Sequence, residues 1–409
     1  MVSNNSRHGI DAYRLKFSGR GSEYFRVWIV NVLLSLLTLG LYTPWARQRT
    51  ARYFYDHTVI AGSPLEFAAP LRKMVLGFVI FVLLYIAFKI ASETGQDTAV
   101  SLFILAAALL APYIWGSAMR FRLASTRWRG LQLRFAASWK DVYLASWPLF
   151  AMAGLWIGIT YGLDALAPEL PVAPPARAPR SAPPFPGLAR LNAATGCLIV
   201  LGVVLSVLCV IRIEYNYKSL LVLRSSLGGQ RGRWKPVYGD FVRIWLATIG
   251  VFIAGAALVA LLAVGLGLAA GLTFGHLPRT GMVFVLAVFV GVLAFIAGLV
   301  IASAPARAYR EARMFRLIWS NVGLSQVARF KCELRPWAYV RRRLKNLLFT
   351  VLTLGLYRPF ARVNEYHMKV DSVTLHVKGG LDQLVGQMVR QQHALGDALA
   401  DMAGLDIVG

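Results

Sequence analysis

The sequence predicts an all-α polytopic membrane protein: six transmembrane helices, two short re-entrant or interfacial elements that repeat one another, and a small cytoplasmic β-structure. Three observations carry this reading. The 409-residue chain is 57% hydrophobic yet bears a formal charge of +25, a combination foreign to a soluble domain. Six apolar runs reach or approach the length of about 18 residues that reads as a membrane span. Finally, Asn31–Arg47 (NVLLSLLTLGLYTPWAR) returns as Asn346–Arg362 (NLLFTVLTLGLYRPFAR), with eleven of seventeen positions identical and an unbroken LTLGLY in each copy.

The six runs are Met74–Ile90, Ala99–Met119, Val142–Gly162, Ala193–Ile211, Ile244–Phe274 and Met282–Ala304. The first is short, and Lys89 near its end has to snorkel to the surface. The fifth is long enough to tilt. Residues 1–26 are polar and basic, without the apolar core of a signal peptide. Three cysteines give no disulfide framework. Cys197 and Cys209 share one predicted helix about 18 Å apart at about 1.5 Å per residue. Cys332 falls in a basic loop, and all three read as packing residues.

Charge orients the spans. The connecting segments alternate in Lys plus Arg: none in Ala91–Thr98, six in Arg120–Asp141, three in Leu163–Asn192, seven in Arg212–Arg243, one in Gly275–Gly281 and eleven in Pro305–Lys345. The positive-inside rule places the rich segments, and both termini, in the cytoplasm. Surplus basic charge beside a bilayer also attracts anionic headgroups. Nucleic-acid binding is not expected, because no recognition module surrounds these arginines. Pro168–Gly187 holds eight prolines in twenty residues, an extended external linker that cannot build a core.

The organisation is then a cytoplasmic segment (1–26), a first repeat element with its basic flank (27–67), a three-span half (74–163) and a proline-rich external loop (164–191). A second three-span half (192–304), a basic cytoplasmic segment with the second repeat (305–379) and an amphipathic tail (380–409) follow.

Each repeat copy is too short to cross. Val27–Tyr42 and Asn346–Tyr357 reach about 24 and about 18 Å against a hydrocarbon core of about 30 Å, and both are flanked by arginines on either side. Each therefore reads as a re-entrant or interfacial helix whose Gly-Leu-Tyr-X-Pro break turns the chain at headgroup level. The alternative is two short tilted spans, giving eight in all and external termini. Asn31 and Asn346 occupy the same place in both copies, which suits hydrogen bonding to backbone inside the protein.

A weaker echo relates Arg52–Phe67 to Arg120–Phe135, with Thr, Gly, Leu and Phe at matching offsets. Near it lie alternating stretches, Tyr13–Phe17, Leu131–Phe135 and Ser372–Val377, whose period of two predicts strands. In the tail, Leu381, Leu384, Val385, Met388, Leu395, Leu399 and Met402 fall near helical spacing, as in an amphipathic helix on the protein or bilayer surface.

The run FSGRGSEYFRVWIVNVLLSLLTLGLYTPWARQRTARYFYDHTVIAGSPLEF resembles the YjgN family of multi-pass bacterial inner-membrane proteins. The likeness is close over Phe17–Phe67, returns in the second LTLGLYRPFAR and extends more loosely across the membrane region. Departures are Phe360 where the first copy has Trp45, and the proline-rich loop, which looks like an insertion. The resemblance implies an inner-membrane location and a helical membrane fold, with no activity, substrate or catalytic residue to carry over.

No catalytic constellation is present, and no enzyme is expected. The six histidines are scattered without metal-ligand spacing, and no phosphate-binding loop, nucleophile elbow or dinucleotide fingerprint occurs. Neither a metal nor a cofactor is expected. Ionisable residues inside the spans, the usual mark of coupled transport, are nearly absent. Two function classes remain. One is a lipid-interacting or scaffolding protein that holds membrane lipids, anionic ones in particular, through Arg47, Arg49, Arg52, Arg358 and Arg362, with Tyr42, Trp45 and Tyr357 as interface anchors. The other is a transporter or channel in which the repeats act as paired gates and Asn31 and Asn346 line the pathway.

Overall fold

Each helical excursion of this chain leaves from a β-sheet and returns to it. A computed structural model describes residues 10–166, 193–274, 281–324, 328–381, 385–386 and 388–390. The proline-rich loop and most of the tail, including Leu384, Leu395, Leu399 and Met402, lie outside the described residues. Among the described residues eleven strands run β1 (Ile10–Arg14), β2 (Lys16–Phe17), β3 (Thr58–Ile60), β4 (Ser63–Phe67), β5 (Thr126–Trp128), β6 (Leu131–Phe135), β7 (Ser225–Leu227), β8 (Gln230–Arg233), β9 (Gly323–Leu324), β10 (Ala328–Cys332) and β11 (Val373–Lys378). Their order is β1-β11-β10-β9-β8-β7-β6-β5-β4-β3-β2, and the neighbours pair antiparallel. The two ends of that order are one stretch of chain. Leu15 alone separates β1, which pairs with β11, from β2, which pairs with β3. The order of the sheet thereby begins and ends on one continuous segment, which shortens the open edges that a sheet otherwise has to protect.

The echo noted above is the hairpin signature. In β3–β4, β5–β6 and β7–β8 the two turn residues, Ala61-Gly62, Arg129-Gly130 and Gly228-Gly229, all have positive φ, the type I′ geometry that matches strand twist. Thr58, Thr126 and Ser225 open the three hairpins, and Phe67, Phe135 and Trp234 stand at the same offset nine residues on. Alternation then sorts the faces. Leu15, Phe17, Leu131, Phe135, Val373, Leu375 and Val377 are buried, while Arg14, Lys16, Arg134, Arg233 and Arg329 are exposed. Cys332 is not in a loop but is buried on β10. The class is accordingly mostly helical with a substantial antiparallel sheet, rather than all-α.

The chain divides into two units, residues Met1–Ala136 with Val222–Gly409, and Ala137–Leu221. The first holds the whole sheet together with α1 (Gly21–Leu37), α2 (Thr43–Asp56), α3 (Leu71–Glu93), α4 (Asp97–Ala124), α8 (Tyr238–Phe274), α9 (Met282–Asn321), α10 (Pro336–Leu352) and α11 (Arg358–Val370); the second holds α5 (Trp139–Ala145), α6 (Trp147–Leu166) and most of α7 (Ala193–Leu223). All six apolar runs are helical. Among the described residues five helices, α3, α4, α7, α8 and α9, are long and apolar enough to cross a membrane, and α5 with α6 makes a sixth if that pair, bent by 42°, is one span. The bend has a local cause. Pro148 removes an amide in the first turn of α6, and Ser146 turns its hydroxyl back onto the Val142 carbonyl, 2.7 Å away. Lys89 does not stand alone on α3, but pairs with Glu93 at 3.1 Å, one turn on.

In the first unit the core lies where the apolar face of the sheet meets the sheet-proximal ends of α1, α2, α10 and α11. Tyr24, Tyr53, Phe54, Tyr339, Val340 and Val363 cluster there with Leu15, Phe17, Leu131 and Val373. Leu381 and Met388 of the tail join this cluster.

Candidate functional site

The two repeat copies are helical hairpins of one design. α1 runs outward from the sheet, the chain reverses through Thr38–Tyr42, and α2 returns; α10, Thr353–Tyr357 and α11 do the same. The identical LTLGLY is the reversal itself. The Thr38 hydroxyl donates to the Leu34 carbonyl at 2.7 Å and accepts the Tyr42 amide at 3.0 Å, and Thr353 repeats both contacts at 2.7 and 2.9 Å with Phe349 and Tyr357. Gly40 and Gly355, at φ +90° and +93°, send their amides back to Ser35 and Thr350 at 2.7 Å. The preceding Leu39 and Leu354 also have positive φ, 49° and 50°, a conformation that costs a side-chain-bearing residue about 1–2 kcal/mol. Both are 95% exposed, with Leu37, Leu41, Leu352 and Leu356 exposed around them. A strained, solvent-facing leucine appears at the same place twice.

Behind each tip the arms are stapled alike. Asn31, 6% exposed, donates to the Ala46 carbonyl at 3.3 Å and approaches the Thr50 hydroxyl at 3.5 Å. Asn346, 2% exposed, donates to the Ala361 carbonyl and to the Glu365 carboxylate, both at 3.2 Å. These amides belong to their own hairpins. Tyr42 stacks on Trp45 at 5.9 Å and Tyr357 on Phe360 at 5.7 Å, a polar-tipped aromatic pair one turn from the apolar tip in each copy.

The hairpins also pack on each other. Arg362 of α11 lies over the rings of Tyr24 and Phe54, 6.0 and 5.1 Å from their centroids, and donates to the Tyr24 hydroxyl at 3.2 Å. Arg47, its counterpart in the first copy, is exposed, as are Arg49, Arg52 and Arg358. Arg49 donates to the Tyr42 hydroxyl at 3.1 Å. The side chains of Arg47 and Arg358 have no hydrogen-bond or ion-pair partner among the described residues. All five arginines read from the sequence are therefore exposed, and Arg362 in addition contacts Tyr24 and Phe54 of the other copy. Tyr53, near the base of α2, donates to the Arg20 carbonyl at 2.8 Å, and burial together with the Glu23 carboxylate pushes its phenol up to about 12. It therefore remains a donor at physiological pH.

One cluster was not visible in the sequence. Glu311 of α9 meets Arg343 of α10 and Lys369 of α11 in ion pairs, and the Tyr339 hydroxyl donates to it at 3.1 Å. Glu365 lies 3.5 Å from Arg343 and links the cluster to Asn346. The corresponding positions of the first copy, Tyr24, Trp28, Thr50 and Phe54, carry no charge. The spacings Tyr339/Arg343 and Glu365/Lys369, one turn each, were the available signal. Their joint partner Glu311, on a distant part of the chain, was not.

Set beside known proteins, residues 12–402 match a family model described as "Bacterial protein of unknown function (DUF898)". Over 160 residues, 38% of this chain and 40% of the relative, the chain is 26% identical to "Inner membrane protein YjgN" of Salmonella typhimurium. It is 24% identical to the protein of that name from Escherichia coli O157:H7 over 152 residues, 37% and 38% of the two chains. Each similarity thus spans about two fifths of the relative's length. No solved structure matches the chain. With the family model running through nearly all of the sequence and the pairwise similarity leading to inner membrane proteins, the chain belongs to the DUF898 family of bacterial proteins, in company with YjgN.

Proposed function

We propose that this is a multi-pass inner-membrane protein whose sheet and termini face the cytoplasm, and whose two LTLGLY hairpins dip into the inner leaflet to hold anionic lipid headgroups. Support for re-entry comes from connectivity. Both ends of each hairpin join the sheet, so the hairpin comes back to the side it left, and a single crossing by either copy is incompatible with that. A double crossing fails on length and charge. α2 has 14 residues, about 21 Å at about 1.5 Å per residue against a hydrocarbon core of about 30 Å, and it would carry Arg47, Arg49 and Arg52 into that core.

The single observation that carries the reading is the pair of leucines, Leu39 and Leu354, held in a strained conformation and fully exposed. Water offers no return for that exposure, whereas acyl chains do. The turn accordingly belongs below the headgroups rather than level with them. Tyr42, Trp45 and Tyr357 then come to the interface, and Arg47, Arg49 and Arg358 reach the phosphates, each contributing about 1 kcal/mol. A conduit lined by Asn31 and Asn346 has no comparable support, since both amides are tied within their own hairpins.

Native mass spectrometry of the protein released from nanodiscs containing phosphatidylglycerol tests this. The Arg47→Gln, Arg49→Gln, Arg358→Gln variant should lose the retained anionic lipid that the unaltered protein carries. Arg362 is left in place because it packs on Tyr24. Equal lipid retention in the two proteins would overturn the assignment.

A further inference from the structure

Four arginines on the sheet form a second basic surface, distinct from the hairpin arginines. Strand register places Arg134 of β6, Ser226 of β7 and Arg231 of β8 side by side. It likewise aligns Arg233 of β8, Gly323 of β9 and Arg329 of β10. Both rows have a cation, a small residue and a cation. With neighbouring strands about 4.8 Å apart, the backbone positions of the two arginines in a row stand about 10 Å apart, and those of Arg231 and Arg233 about 7 Å apart along β8. All four side chains are exposed. None has a hydrogen-bond or ion-pair partner among the described residues.

We propose that this face docks an acidic polypeptide segment from the cytoplasm. At its β9–β10 end, where Arg329 lies, the distance from the bilayer argues against lipid, a point that rests on the membrane placement proposed above. The apolar part of α9 ends at Ala306, and Arg307–Asn321 then continues the helix for 15 residues to β9. That is about 22 Å at about 1.5 Å per residue, beyond the Debye length of about 8 Å over which headgroup charge is felt. Nucleic acid is disfavoured because neither row carries an aromatic side chain on which a base could stack. What remains is charge alone, presented by guanidinium forks that pair well with carboxylates. Carboxylates on alternate residues of an extended peptide repeat at about 7 Å, the spacing of Arg231 and Arg233. Ser226 is the half-buried small residue between Arg134 and Arg231, while over the buried Gly323 the Arg233 and Arg329 side chains come together.

The test uses the whole protein in phosphatidylcholine nanodiscs, which present no anionic headgroup, and a twelve-residue peptide of alternating glutamate and serine. The expected result is salt-sensitive binding that weakens at least 10-fold in the Arg134→Gln, Arg231→Gln, Arg233→Gln, Arg329→Gln variant. Ser226→Glu, which sets a carboxylate between Arg134 and Arg231, should weaken it in the same direction, while thermal unfolding of both variants stays at the parent value. The hairpin variant Arg47→Gln, Arg49→Gln, Arg358→Gln should bind the peptide unchanged, which separates this surface from the lipid assignment. No peptide binding, or undiminished binding in the four-arginine variant, would overturn the proposal. So would tighter binding of oligothymidylate, or displacement of the peptide by phosphatidylglycerol nanodiscs.

Discussion

Asn31→Ala and Asn346→Ala make the same cavity at equivalent places in two copies of one hairpin, so the difference in their effects isolates the hydrogen bonds. Asn346 gives up a bond to the Ala361 carbonyl and a bond to the charged Glu365 carboxylate, both at 3.2 Å. A neutral bond contributes about 1 kcal/mol and one to a charged group about 1.5–3 kcal/mol, about 3 kcal/mol together. Asn31 gives up a bond of 3.3 Å to the Ala46 carbonyl and a weak approach of 3.5 Å to Thr50. Its own carbonyl oxygen is buried without a hydrogen-bond partner among the described residues, and removing that atom relieves a burial penalty of about 1 kcal/mol or more. The net loss for Asn31→Ala is therefore about 0–1 kcal/mol, and the two variants should differ by about 2 kcal/mol, roughly a 30-fold difference in unfolding equilibrium. Denaturant titration of both in the same detergent, followed by tryptophan fluorescence, measures it. Equal losses, or a larger one for Asn31→Ala, would refute the reasoning.

Three further outcomes follow from the same geometry. Leu39→Gly should relieve backbone strain by about 1 kcal/mol yet reduce partitioning into vesicles, so stability and membrane association move in opposite directions; co-sedimentation beside a melting curve checks this. Gly355→Ala, at φ +93° with no side-chain neighbour to collide with, should destabilise by about 1 kcal/mol through backbone conformation alone; no change in melting would count against the tight reversal. Glu311→Gln leaves Arg343 and Lys369 with Glu365 as the remaining carboxylate of the cluster. Because these groups are partly solvated, the loss should be about 1–3 kcal/mol, largely recovered when Lys369→Met is added, which a double-mutant cycle would read.

The long helices were plain in the sequence because each is an uninterrupted apolar run, and composition alone suffices for that. The repeat was equally plain, and so was the pairing of each asparagine with backbone, since a polar residue fixed at one place in two apolar segments needs a partner. The sheet was legible only where alternation ran for five residues, as in Leu131–Phe135. Strands such as Lys16–Phe17 and Gly323–Leu324 have two residues each, too short for any period to register. Their pairing also joins segments separated by whole helical excursions. The type I′ turns did leave a trace, in the echo between Thr58–Phe67 and Thr126–Phe135, which Ser225–Trp234 extends. For the arginines, sequence could not separate position from environment. Arg47 and Arg362 are equivalent in the repeat, but only Arg362 meets the aromatic surface of the other copy. That difference arises from the neighbours of each hairpin.

Depth measurement at the two tips tests the re-entrant hairpins most directly. In a background without the three native cysteines, Leu39→Cys and Leu354→Cys would carry spin labels, with oxygen and a water-soluble nickel complex as competing relaxation agents in oriented vesicles. Both labels should lie in acyl chains of the inner leaflet, short of the midplane, accessible to oxygen and shielded from nickel on either side. Labels that relax with nickel as free solvent-exposed sites do, or that are reached from the external face, would contradict the account.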